Sequence, residues 1–128
     1  MPFDLGAQSR ARMTGVHPDL AKIVERAAAA GTAEFRVLEG VRSLARQKQL
    51  VAAGASKTLN SRHLTGHAVD LGAVVGGKVR WDWPLYAAIA AAMKQAAHDL
   101  RIPLTWGGDW KMRDGPHFEL PRDAYPAR

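Results

Sequence analysis

Cysteine is missing altogether from the 128 residues. That removes disulfide staples and any metal site built from thiolates, and it leaves the redox compartment open. Long apolar runs are missing too. The Ala-rich stretch at 87–92 is closed in by Tyr86 and Lys94, far short of the roughly 20 residues a bilayer-spanning helix needs. The opening Met1-Pro2-Phe3-Asp4-Leu5 has no basic segment followed by an apolar run, so no secretory signal is expected. No repeat or linker divides the sequence, and the expectation is a single domain over residues 1–128.

What is present is ordinary globular material. Hydrophobic residues make up 47% and charged ones 23%, enough for one core without staples. Basic residues outnumber acidic ones 18 to 12, a net charge of +6. Such a balance suits nucleic acid, a membrane surface or an anionic polymer. The basic residues are scattered, however, and no nucleic-acid-binding module is recognisable, so nucleic acid is not an expected partner. Stable membrane insertion is not expected either.

Three helices can be placed. The first begins near Pro18, carries Leu20, Ile23, Val24 and Ala27 at helical spacing, and stops at Gly31. The second follows Ser43 as N-cap, with Leu44, Gln47, Leu50 and Val51 on one side and Gly54 at its end. The third starts after Asp82 with Pro84 in its first turn, and its stripe is Tyr86, Ile89, Ala90, Met93, Ala97 and Leu100. His98 on its flank is expected to face solvent. Short strands fit 34–38, 68–74, 78–81, 104–106 and 116–120, with a hairpin turn at Val75-Gly76-Gly77-Lys78. Strands and helices interleave without repeating βαβ units. The predicted class is α+β, with a small, mainly antiparallel sheet and about three helices. The ends, 1–14 and 121–128, are expected to be loosely held.

Two segments carry the chemistry: Ser61-Arg62-His63-Leu64-Thr65-Gly66-His67-Ala68-Val69-Asp70, and Asp114-Gly115-Pro116-His117-Phe118-Glu119. A catalytic zinc wants three His or carboxylate ligands and an open fourth position for water. A nearby carboxylate outside the ligand set can take the proton from that water. His63, Asp70 and His117 fit the first role and Asp114 the second. Gly66 and the β-branched Thr65 and Val69 argue against a helix between His63 and Asp70. Their odd separation excludes one face of a single strand. The spacing therefore predicts a loop carrying His63, a bend at Gly66 and a strand through Asp70. Gly115-Pro116 makes a similar bend between Asp114 and His117. His63 and His67 have the spacing of the zinc helix H-E-x-x-H, but Leu64 stands where the glutamate belongs, so His67 is read as a supporting or surface residue.

The whole pattern, S-x-H-x-x-G-x-A-x-D followed by D-x-P-H-F-E, resembles the zinc D,D- and L,D-peptidases of peptidoglycan, and most of all the phage endolysins that are L-alanyl-D-glutamate peptidases. Val16-His17-Pro18-Asp19-Leu20, Gly40-Val41-Arg42-Ser43, Gly54-Ala55-Ser56-Lys57-Thr58 and Trp106-Gly107-Gly108-Asp109-Trp110 are similar to segments of those enzymes, in the same order. The resemblance implies the Hedgehog and D,D-peptidase fold, zinc on His63, Asp70 and His117, and Asp114 as the catalytic carboxylate. It implies peptidoglycan as the partner. No second, wall-binding domain is visible in the sequence, and a monomer is expected. An enzyme made in the host cytoplasm without a signal peptide would then act on the wall after release, lysing the host.

Arg42, in a motif similar to one in that family, is a candidate to clamp a substrate carboxylate or hold an oxyanion. Ser61 is a candidate to orient substrate or a ligand. Trp106 and Trp110 are candidates to wall the cleft, with a place in the core as the alternative. No serine lies in a G-x-S-x-G elbow, so a serine nucleophile is not needed. Two alternatives stand beside the endopeptidase: a D,D-carboxypeptidase or dipeptidase acting on terminal D-alanine, and a non-catalytic zinc-binding module.

Overall fold

The computed structural model describes residues 3–56 and 61–126. Lys57 and Thr58, quoted above for the resemblance, lie outside the described residues. Four α-helices and five strands follow in the order α1 (Gly6–Arg12), α2 (Pro18–Ala30), β1 (Phe35–Glu39), α3 (Leu44–Ala52), β2 (Ala68–Val75), β3 (Lys78–Arg80), α4 (Trp83–Leu100), β4 (Thr105–Trp106) and β5 (His117–Glu119). Short 3₁₀ turns at Arg62–Thr65 and Gly107–Asp109 precede β2 and follow β4.

The local signals act where the sequence puts them. The His17 side chain caps α2 by accepting from the Asp19 N–H, and Gly31 closes the helix in the left-handed region at φ 69°. The Ser43 hydroxyl accepts from the Arg46 N–H at the start of α3. Along α4, Tyr86, Ile89, Ala90, Met93 and Ala97 are buried and His98 is exposed. On α3 the expected face is thinner: Gln47 is fully buried, Leu50 and Val51 are half-buried, and Leu44 is exposed.

The strands form one antiparallel sheet in the order β1-β2-β5-β4, with β3 pairing the far end of β2. β2 is central and buried over most of its length, so its apolar residues run almost without interruption. Leu20 and Ile23 from α2, Ile89 and Met93 from α4, and Val37, Leu71 and Phe118 from the sheet are fully buried together. Each such side chain contributes about 1.5–3 kcal/mol relative to exposure. Among the described residues, no helix is long and apolar enough to cross a membrane.

Both ends are better held than composition suggests. α1, which the helix pattern did not announce, lies in the N-terminal stretch expected to be loose. Leu5 is buried, and the Ser9 hydroxyl accepts from the Val37 N–H at 3.1 Å. At the other end the Tyr125 hydroxyl donates to Asp19 at 2.6 Å, and its carbonyl accepts from Arg62 at 2.8 Å. Tertiary contacts overrule weak local propensity in both places.

Gly66 joins the fold to the site. Its φ is +79°, and a Cβ there would lie 2.5 Å from the Gly15 carbonyl oxygen. Gly66→Ala is therefore expected to cost about 1–3 kcal/mol, from left-handed strain and displaced backbone. Urea unfolding measures this, and an unchanged midpoint would show that the bend relaxes freely.

Candidate metal centre and cleft

His63 sits in the 3₁₀ turn before β2. The Ser61 hydroxyl accepts the His63 N–H at 3.2 Å, so this serine is engaged in capping the turn. Asp70 is the third residue of β2, and the antiparallel register sets it directly opposite His117 of β5. Opposed residues stand side by side on one sheet face. The turn before β2 then brings in His63, and one donor atom from each of the three lies within 4.8 Å of the others. His67 stays outside this group, with its ring 5.5 Å from that of His17. The bend at Gly66 and the strand through Asp70 are present, and so is the bend between Asp114 and His117; the expected loop at His63 is instead a single 3₁₀ turn capped by Ser61.

The two imidazoles are oriented from behind. His63 donates Nδ1–H to the Gly40 carbonyl at 2.8 Å, which leaves Nε2 facing Asp70 Oδ1 at 3.2 Å. His117 donates Nε2–H to Glu119 at 2.7 Å, which turns Nδ1 toward the same Asp70 oxygen at 3.3 Å. Such outer hydrogen bonds select the tautomer of a metal-binding histidine and make it more basic. Burial opposes charge on both partners, but hydrogen bonds override it. Those from His117 and His63 hold the Asp70 carboxyl well below its usual range, and those to Asp70 and Glu119 raise His117 to about 9.

Glu119 had no role assigned from sequence, although its i+2 position on a strand places it on the same face as His117. Glu39 was also missed. A bulge at Leu38 shifts the β1–β2 register so that Glu39 lies opposite Asp70. Arg42 is the hub of that side. It pairs with Glu39, donates from Nη1 to Gln47 at 2.7 Å, and has Nη2 3.7 Å from Asp70. These contacts hold Arg42 beside Asp70, and it also lines the cleft.

Asp114 lines the same cleft. Its N–H donates to the Gly107 carbonyl at 2.9 Å, and its carbonyl accepts from His117 N–H at 3.2 Å. A Cβ on Gly107 would lie 2.4 Å from the Asp114 carbonyl oxygen, which explains the small residue there. The side chain reaches solvent. Even so, partial desolvation by the cleft walls, reinforced by the Asp70 charge, raises its carboxyl pKa.

A cleft of about 500 Å³ contains His63, Asp70, His117, Asp114, Arg42, Ser61 and Trp110. Trp110 tilts over His117 at 5.0 Å. Trp106 is the correction: it is 8% exposed, stacks between Trp83 and Phe118, and donates Nε1–H to the Gly115 carbonyl at 2.7 Å. It is a core residue and does not line the cleft, because β4 turns its ring toward the packed side.

Two imidazoles and a carboxylate converging on one point, beside a carboxylate outside the cluster, on this α+β sheet, define a metallopeptidase layout. The chain belongs to the phage L-alanyl-D-glutamate peptidase family, whose profile matches residues 1–127. It is 33% identical to the L-alanyl-D-glutamate peptidase of Escherichia phage T5, over 98% of this chain and 94% of that protein. It is also 33% identical to the enzyme of the same name from Listeria phage A118, over 72% of this chain and 32% of that longer protein. Among solved structures, it is similar to the L-Ala D-Glu endopeptidase ChiX of Serratia marcescens, with TM-score 0.92 and 48% identity over 99% of this chain and 95% of the other. The vancomycin-resistance D,D-dipeptidase VanXYg shares the fold, at TM-score 0.53 and 22% identity over 82% of this chain and 50% of that one.

Proposed function

We propose that the protein is a zinc endopeptidase that hydrolyses the L-alanyl-D-glutamate bond of peptidoglycan stem peptides. The observation that carries this reading is Asp114, a carboxylate of raised pKa on the wall of the cleft that holds His63, Asp70 and His117. The donor set suits zinc: two neutral imidazole nitrogens, each with its other nitrogen already hydrogen-bonded, and one carboxylate oxygen. Zinc, when bound, supplies Lewis acidity toward the peptide carbonyl and toward a water molecule.

The remaining work falls to side chains. Asp114 accepts a proton as water attacks the peptide carbonyl, and returns one to the leaving amine of D-glutamate. Arg42 keeps Asp70 in place and adds positive charge near the reacting carbonyl. Ser61 fixes the His63 turn, and Trp110 shields His117 from the solvent side. The named activity of the phage relatives and of the Serratia enzyme supports this choice of bond. In a phage setting, cleavage on the wall side of the membrane lyses the host.

Digestion of purified sacculi, followed by mass spectrometry of the muropeptides, tests the bond. The expected products carry a new α-amino group on D-glutamate, with L-alanine left on muramic acid. A chelator should suppress them and added zinc restore them. Release of free D-alanine alone would move the chain to the D,D-carboxypeptidase reading.

A further inference from the structure

We propose that Trp81 is a sugar-stacking platform at the mouth of the cleft, on which the muramic acid ring rests while its stem peptide crosses the cluster of His63, Asp70 and His117. The proposal builds on the stem-peptide reading above.

Three of the four tryptophans are exposed: Trp81 at 63%, Trp110 at 40% and Trp83 at 38%. A lone exposed apolar side chain carries no message. Trp81 differs in its place and its rigidity. It lines the same cleft as the histidine and aspartate cluster. Its ring lies parallel to that of buried Tyr86, with centroids 5.9 Å apart and planes within 2°. Tyr86 is itself pinned, since its hydroxyl accepts from the Ala73 N–H at 3.2 Å and donates to the Arg80 carbonyl at 2.7 Å. The other two exposed indoles have neighbours over their faces. The Arg113 guanidinium lies 4.8 Å from the Trp83 ring centre, and Trp110 leans on His117.

A flat, backed and solvent-facing indole suits the C–H face of a pyranose. The contact buries apolar surface on both partners, and a ring already held in place loses little freedom on binding. The covalent chemistry of the substrate supplies the reach. L-alanine is joined through a lactyl group to muramic acid, so two extended units, roughly 7 Å, separate the scissile carbonyl from the sugar. A cleft of about 500 Å³, taken as a sphere, is roughly 10 Å across. A peptide bond over the cluster therefore carries its sugar to the rim, and Trp81 is the more exposed of the two tryptophans in the described cleft lining.

Two soluble substrates test this: the free stem tripeptide, and the same peptide on an N-acetylglucosaminyl-N-acetylmuramic acid disaccharide. The native enzyme is expected to show a KM roughly three- to tenfold lower for the glycosylated form, the size of one aromatic contact. Trp81→Ala should bring the KM ratio close to one, and Trp81→Phe, which keeps a flat ring, should retain part of it. The ratio is taken within each protein, so a general loss of rate cancels. A ratio in Trp81→Ala equal to that of the native enzyme, or no preference in the native enzyme, overturns the platform. If neither substrate is cut, the stem-peptide reading is what fails. The peptide-free disaccharide then decides the platform through the Trp81 indole N–H resonance: a saturable shift upholds it, and an unmoved resonance overturns it.

Discussion

His117→Ala is expected to remove bound metal and abolish detectable hydrolysis, while the chain stays folded. His117 supplies one of the three donors and is also the link between Asp70 and Glu119. With it gone, the two donors left fall short of the three protein ligands a catalytic zinc site uses. Glu119 then loses its Nε2–H partner inside the protein. Leaving a buried acceptor unpaired costs about 1–3 kcal/mol. That loss is tolerable because β5 is anchored on its other side by Phe118, and just beyond it by Leu120, both fully buried. Elemental analysis after dialysis, circular dichroism and muropeptide release measure the three parts of the expectation. Stoichiometric zinc with normal turnover in the variant would sink the ligand assignment.

Asp114→Asn is expected to separate metal binding from catalysis. The variant should keep its zinc yet lose roughly 10²–10⁴-fold in rate, the usual worth of a positioned acid–base group. The structure makes this a clean substitution. Asp114 contacts its neighbours through backbone atoms, to Gly107 and His117, and asparagine keeps both hydrogen bonds. Its carboxyl pKa is raised by desolvation and by Asp70, so ionised Asp114 is a strained charge in the fold. The sign follows directly. A carboxyl whose folded pKa lies above its unfolded one lowers stability at neutral pH, so in the metal-free protein the neutral variant should melt at the same temperature or slightly higher. Near-native hydrolysis would take Asp114 out of the reaction and reopen the reading as a binding module.

Much of this was legible because the signals are local. Pro18 and Gly31 bound α2, Ser43 starts α3, and short apolar and β-branched segments set off by turn residues placed the strands to within a residue or two. The turn at Gly66 and the bend at Gly115-Pro116 followed from residue type and spacing. What escaped depends on partners distant in sequence. α1 has no strong apolar stripe and is held by β1, through Ser9 and Val37. Trp106 and Trp110 look alike in sequence, and only the packing of β4 sends one to the core and the other to the cleft. The partners of Arg42, Glu39 and Gln47, were not legible, because they assemble only once the bulge at Leu38 forms. Glu119 could have been found, since strand parity alone sets it beside His117.

The pairing of His117 with two carboxylates ties metal loading to acidity. Without metal, a proton on His117 supplies the positive charge that Asp70 and Glu119 face, and it persists up to about pH 9. That cohesion is complete below the ordinary histidine pKa and fades as pH climbs through 9. A metal ion at this cluster needs Nδ1 free, so its apparent affinity is expected to fall as pH drops below that range. Alkalinity is therefore expected to favour the exchange of that proton for a metal ion.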